Sequence, residues 1–410
     1  MAIENSNVSS VMKKRLLFVN QVSYVGGSSY CMLALIKAID RRKFEPVVLL
    51  RKEGSLASEL RNDGIEVHFF PQMMTIPYNE SLYKHGVIST YWRMLRSQKS
   101  FKKLLLSINA DIVYLNNMML YPYLKTVKEC GCKAIMHVRE HWPKKEHRIQ
   151  MMWARNTAKK YADKMVAINH YSASMFPECA SKMSIIYDWI DFSDRYEPRP
   201  FDEIFGANSS KLKVFLFTGG LGHIKGTYDV VSSFSKVVKG DDFRLLLMGP
   251  GLDYKLKLVG WKGLIEKLLM LTGWKPYGYK TMEAIKKDER IVCIPASYKV
   301  VDIFRQSYCM LSYFNIPHAN LAMAEAIVLG LPVIAAQTEE SIEYSDNGNG
   351  AILFEFLNKK DFERKIEYVI SNDSFVKEGV NNSSDNVKQM FDPMTNAAKL
   401  NDVCSAVAFL

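Results

Sequence analysis

LFTGGLGHIKG, residues Leu216 to Gly226, sets a short apolar run against a glycine-rich turn and a single lysine. Two adjacent glycines after a strand permit positive φ and let the backbone come close to a ligand. A helix starting beyond such a turn presents unpaired N–H groups to whatever sits there, which favours an anion. Lys225 would add a point charge for phosphate, acting in the same direction as the helix dipole. Taken alone, the stretch fits a tight strand-to-helix turn with a solvated lysine equally well, so its surroundings decide.

Working outward, strand-like runs alternate with helix-length segments from end to end. Upstream they read RLLFVN (15–20), PVVLLR (46–51), VHFF (67–70), DIVYLN (111–116), AIMHV (134–138), MVAIN (165–169) and SIIYDW (184–189). The quoted stretch opens a second series: VFLFTG (214–219), LLLMG (245–249), RIVCI (290–294), CMLSYF (309–314), PVIAA (332–336) and AILFE (351–355). Short apolar runs without polar alternation predict strands buried on both faces, hence parallel sheets covered by helices, the doubly wound α/β class. Residues 192–211, polar and proline-containing, read as a linker. The expected organisation is a disordered tail over 1–12 and a Rossmann-like domain over 13–191. After the linker come a second such domain over 212–386 and a C-terminal helix within 387–410 that can cross back to the first domain. At 410 residues the chain suffices for two cores of roughly 200 residues each. Ligands bind outside the carboxyl ends of the strands in such sheets, so an interdomain cleft is the default site.

Composition narrows the function. Seven cysteines are thinly spread with no C-x-x-C spacing, which indicates neither a disulfide framework nor a zinc site. The apolar run Leu16–Val19 is too short for a signal peptide, and no run of about 18 uncharged apolar residues predicts a membrane span. The expected setting is cytoplasmic. The net charge of +11 is confined to the first half: residues 1–198 hold 29 Lys+Arg against 18 Asp+Glu, whereas residues 199–410 hold 25 of each. Basic residues interleave with aromatics and methionines in YWRMLRSQKSFKK (91–103) and HWPKKEHRIQMMWARNTAKK (141–160). That pattern fits either a solvated helical face or docking on an anionic membrane surface. The lysine-rich segment 255–275 reads as a core-packed helix, and no nucleic-acid-binding motif is present.

Two other strand-to-helix junctions join the quoted one. In VSYVGGSSY (22–30), Gly26 and Gly27 open a helix and again present backbone donors. In NIPHANLAMAEAIVLGLPVIAA (315–336), Asn320 can cap a helix over Leu321–Leu329 that Gly330 and Pro332 terminate. The free N–H groups of Leu321 and Ala322 would meet a phosphate, with Glu325 one turn in. A carboxylate there repels phosphate but suits two vicinal hydroxyls, as a ribose offers.

These residues resemble a known family. G-x-L-x-x-x-K-G (Gly219, Leu221, Lys225, Gly226) followed by E-A-x-x-x-G-x-P-V-I (Glu325 to Ile334) is similar to the retaining GT-B glycosyltransferases, the glycogen-synthase-like and lipopolysaccharide or capsule sugar transferases. The N-terminal GG loop, HVRE (His137–Glu140), IIYDWID before the linker and DNGNGAILFE (346–355) agree in order and spacing. The resemblance implies a GT-B fold and sugar transfer from a UDP- or GDP-sugar to a glycan or lipid-linked acceptor in surface polysaccharide biosynthesis. It implies that Lys225 holds the donor diphosphate and Glu325 the ribose. Gly26 and Gly27 close over the phosphates, and His137 lies near the transferred sugar. Arg139, Glu140 and His318 are candidate acceptor or sugar contacts. No cofactor or metal is expected, since the family usually dispenses with metal and no Asp-x-Asp motif occurs. A peripheral position on the inner face of a membrane, reached through the basic N-terminal domain, fits this reading.

Two departures stand out. The first glutamate of the family's E-x7-E signature would fall at Pro317, and the arginine usual after Gly219 is Gly220. Either His318, Asn320 or residues elsewhere substitute for the missing contacts, or the donor sugar is unusual, or the site is weak. The alternatives are a sugar-nucleotide 2-epimerase, which needs acid/base carboxylates in the cleft, and a non-catalytic sugar-nucleotide-binding protein.

Overall fold

The computed structural model describes the chain except residues 1–11, 25–26, 77–85, 142–147, 194, 196–200, 207–208, 253–264, 266–267, 269, 298, 373–383 and 410. Gly26, most of the segment 255–275, and the tail apart from Met12 therefore lie outside the described residues. The chain divides into two compact units, Met1–Trp189 with Pro393–Leu410, and Ile190–Asp392.

The first unit holds a seven-stranded sheet in the order β3-β2-β1-β4-β5-β6-β7. Its strands are β1 (Lys14–Asn20), β2 (Phe44–Leu50), β3 (Glu66–Phe69), β4 (Ile112–Leu115), β5 (Lys133–Val138), β6 (Lys164–Ala167) and β7 (Met183–Ile185). Every pairing is parallel. The unbroken apolar runs are explained by the two faces. Leu17, Val19, Val47, Leu49, Val113 and Leu115 enter one core, while Leu16, Phe18, Val48, Leu50, Ile112 and Tyr114 enter the other. Helices α1 (Gly27–Lys37) and α2 (Ser55–Asn62) cover the second face together with the C-terminal helix Pro393–Ala408, which contributes Leu400, Val403, Cys404 and Val407. Helices α3 (Val87–Ile108), α4 (Leu124–Glu129) and α5 (Arg148–Tyr161) cover the first.

The second unit repeats the plan with six strands in the order β10-β9-β8-β11-β12-β13. They are β8 (Lys213–Phe217), β9 (Phe243–Met248), β10 (Ile291–Ile294), β11 (Cys309–Ser312), β12 (Val333–Ala336) and β13 (Ile352–Phe354), again all parallel. Residues 192–211 belong to this unit and carry a short helix, Phe201–Phe205. Strand order reverses between β1 and β4 in the first unit and between β8 and β11 in the second, the position where open α/β sheets take ligands. The glycine-rich stretch leaves β8, and the loop carrying His318 and Asn320 leaves β11, so both open onto one such crevice.

Candidate functional site

The turn after β8 is shaped first by packing. Gly220 has φ +60, and a Cβ there would lie 2.5 Å from the Pro250 carbonyl oxygen. Gly226, at φ +69, precedes the helix Thr227–Val237 and would place a Cβ 2.4 Å from the Tyr313 ring. The arginine of the related sequences therefore has no room at position 220. Gly220→Arg is expected to lower stability by about 1–3 kcal/mol in chemical denaturation, through the positive φ and the clash together. An unchanged denaturation midpoint would show that the Pro250 loop yields freely.

The helix begins at Thr227, two residues beyond Lys225, because Gly226 takes the left-handed conformation before it. Its first turn is partly satisfied from within: Tyr228 N–H donates to the Tyr277 hydroxyl at 2.8 Å, and Thr227 Oγ1 donates to Gly220 O at 2.7 Å. Lys225 lies with its Nζ 4.3 Å from the centroid of the Phe314 ring, and burial pushes its pKa down to about 8. Among the described residues no carboxylate pairs with it. A cavity of about 10 Å³, close to the space of one water molecule, is lined by Gly219, Lys225, Ser312, Phe314 and Asn320 among others. The ends of β8 and β11 thus bring together Gly219, Lys225 and Asn320. Admitting a diphosphate there requires the lysine to swing off Phe314. The ring of His318 sits 5.3 Å from the same Phe314 ring. Phe314, against which both Lys225 and His318 lie, carried no signal in the sequence beyond its place in an apolar strand.

The helix Leu321–Val328 follows, one residue shorter than expected. Asn320 precedes it, but its side chain does not cap it: the amide donates to Ser312 Oγ at 2.7 Å, which draws it toward the end of β11. The helix start is closed only by its own backbone, Met323 N–H to Asn320 O at 3.1 Å, so no side-chain cap competes for the N–H groups of Leu321 and Ala322. Glu325 is 5% exposed and, instead of an open carboxylate, forms a buried ion pair through Oε1 with Arg195 Nη1. Arg195, read within the linker, is the partner of Glu325 that sequence reasoning missed. One arginine in a polar stretch carries no distinguishing pattern.

In the first unit, Gly27 opens α1. His137, Arg139 and Glu140 continue from β5 at the carboxyl edge. His137 is fully buried, so it lies beneath the surface where a sugar contact would place it. Its Nδ1 meets the Tyr114 hydroxyl at 2.9 Å and Arg139 Nη1 at 3.4 Å. Because a guanidinium only donates, Nδ1 accepts and the ring proton sits on Nε2. That Nε2 is buried with no hydrogen-bond partner among the described residues, and burial together with Arg139 holds the ring neutral, well below the usual histidine range. Arg139 pairs with Asp188 at 2.5 Å and is almost wholly buried. Glu140 accepts the N–H groups of Met118 at 3.1 Å and Arg139 at 3.2 Å, while burial pushes its carboxyl up to about 7. Arg139 and Glu140 are thus tied into their own unit.

A cavity of about 1010 Å³ lies elsewhere in the second unit, lined by Tyr228, Lys236, Trp274, Lys280 and Arg290 among others. None of Gly219, Lys225, Asn320 or Glu325 lines it. Among the described residues no three His, Cys, Asp or Glu side chains are grouped to hold a metal ion. No described helix is long and apolar enough to cross a membrane.

Residues 200–389 match the family model of glycosyl transferases group 1. No curated protein is significantly similar to the chain. Solved structures share its fold over nearly its whole length. Anabaena HepE in complex with UDP aligns with a TM-score of 0.71 at 16% identity, covering 96% of this chain and 100% of its own. A glycosyltransferase from Rickettsia africae aligns with a TM-score of 0.64 at 16% identity, covering 96% and 99%. Sucrose-phosphate synthase from Thermosynechococcus elongatus gives 0.68 at 11% identity, covering 96% and 99%. The chain thus carries a glycosyl transferases group 1 domain over residues 200–389 and shares the GT-B architecture of two Rossmann-like units.

Proposed function

We propose that the protein is a retaining glycosyltransferase that moves a sugar from a UDP-sugar to a glycan or lipid-linked acceptor in surface polysaccharide biosynthesis. The observation that carries this reading is the meeting of Gly219, Lys225 and the uncapped helix Leu321–Val328 at the switch point between β8 and β11. Uridine is favoured as the base because HepE, which shares the fold, binds UDP and UDP-glucose.

As the anomeric C–O bond breaks, the departing nucleoside diphosphate gains negative charge. The Lys225 ammonium, lifted from Phe314, and the N–H groups of Leu321 and Ala322 stabilise that charge where it develops. Glu325, paired through Oε1 with Arg195, offers Oε2 to the ribose hydroxyls. His137 is neutral with its proton on Nε2 but fully buried, so donation to a sugar oxygen requires its ring to be uncovered. With Pro317 in place of the signature glutamate, these groups supply no carboxylate pair of the kind that drives glycoside hydrolysis. Front-face attack by the acceptor hydroxyl retains the anomeric configuration without such a pair.

A thermal-shift screen of UDP- and GDP-sugars tests the donor. A UDP-sugar at 100 times its dissociation constant adds about 2.7 kcal/mol of stability. Product NMR with the bound donor and candidate acceptors then reports the anomer. Binding without turnover would leave a sugar-nucleotide-binding protein, and exchange at C2 without acceptor would indicate an epimerase.

A further inference from the structure

Two helices of the first unit present an apolar face that is left exposed among the described residues. On α3, Ile88, Trp92 and Leu95 recur at helical spacing opposite the buried Met94, Phe101 and Leu105. On α5, Ile149, Met152 and Trp153 do the same opposite the buried Ala154 and Ala158. All six are 41–61% exposed. The Tyr91 and Trp153 rings meet edge to face at 5.4 Å, so the two apolar stripes form one patch.

The charge around the patch selects its partner. Neither helix contains an Asp or Glu, while α3 carries Arg93, Arg96, Lys99, Lys102 and Lys103 and α5 ends in Lys159 and Lys160. Lys99 and Lys103 continue the Ile88–Trp92–Leu95 stripe by one and two further turns, placing ammonium groups along the line of the apolar side chains. Among the described residues Arg93, Arg96, Lys99 and Lys103 enter no ion pair. A second copy of the same face would meet like charge across its whole area. An acidic groove in a protein would satisfy the lysines but not two half-exposed tryptophans flanked by aliphatic side chains. An anionic lipid surface satisfies both, with indole rings at headgroup depth and basic residues against phosphate.

We propose that α3 and α5 form an interfacial docking surface that seats the first unit on an anionic bilayer. The helices of a parallel sheet run opposite to its strands, so the apolar N-terminal ends of α3 and α5 lie at the carboxyl edge of the sheet, the edge from which Arg139 and Glu140 also emerge. Docking stands without the transferase reading. Its consequence, that a lipid-linked acceptor meets the first unit at the membrane plane, rests on it.

The test is flotation of the full chain with vesicles of phosphatidylcholine alone or mixed with phosphatidylglycerol, followed by tryptophan fluorescence. The intact protein binds the anionic vesicles at least about tenfold more tightly, with a blue shift that Trp92→Ser and Trp153→Ser together abolish. Lys99→Gln with Lys103→Gln lowers partitioning about thirtyfold, and salt weakens it similarly. All four positions are exposed, so the melting temperature and its rise with UDP stay unchanged, which separates failure of docking from failure of donor binding. Equal binding to neutral vesicles, loss of the patch in a dimer on gel filtration, or preference for nucleic acid over vesicles overturns the proposal.

Discussion

Lys225→Ala is expected to cut sugar transfer at least about a hundredfold while leaving the protein folded. The lysine makes no ion pair among the described residues, and its Nζ rests on Phe314, so the fold loses only a stem and a cation–π contact. The loss should fall on kcat, because the charge it meets is larger in the transition state than in the bound donor. A pH signature comes with it. Burial holds Lys225 at about 8, so the free protein carries a charged ammonium below that pH and a neutral amine above it. Diphosphate binding needs the charged form. The dissociation constant for UDP is therefore flat below about pH 8 and rises up to tenfold per unit above it, until the bound lysine itself titrates. Calorimetry across pH 6.5–9.5 reads this directly in comparison with Lys225→Ala, which should show no such slope. A rate for Lys225→Ala within fivefold of the parent would remove the residue from the mechanism.

Arg195→Ala should destabilise the second unit by about 3–5 kcal/mol, a fall in melting temperature on the order of 10 °C. Arg195 and Glu325 are both nearly sealed from solvent, and removal of the guanidinium strands a carboxylate with neither water nor counter-charge. Glu325→Gln in the same background should recover much of the loss, since an amide costs far less to bury unpaired. A double-mutant cycle by calorimetry measures the coupling. A melting temperature within a degree of the parent for Arg195→Ala would show that the pair is solvated in solution.

The sheets were legible because their strands are buried on both faces, which turns each into an uninterrupted apolar run. Leu16 to Val19 and Leu245 to Met248 need no alternation, as each successive side chain enters one core or the other. The last strand of the first sheet was overread most: SIIYDW stops at Ile185, because Trp189 and its neighbours leave the ladder at the edge of the unit. The site was legible in outline, through glycines and a lysine at a switch point, but its pairwise chemistry was not. Gly220 answers to Pro250, Asn320 to Ser312 and Glu325 to Arg195, partners 30, 8 and 130 residues away. No periodicity records such distances, since each depends on how two loops meet after the sheet has formed. His137 shows the same limit. Its place at the end of an apolar strand fits exposure or burial, and only the Tyr114 hydroxyl reveals which.

The helix Pro393–Ala408 seals the face of the first sheet that α1 and α2 leave unfinished. A ribosome therefore releases a nearly complete second unit before it supplies the segment that closes the first. Leu16, Phe18 and Val48 wait for Leu400, Val403 and Val407, so this core of the first unit closes only after the whole of the second unit has been made. A nascent chain cut short anywhere before Pro393 carries an open greasy wall, which makes it a natural client for chaperones and marks incomplete copies for disposal.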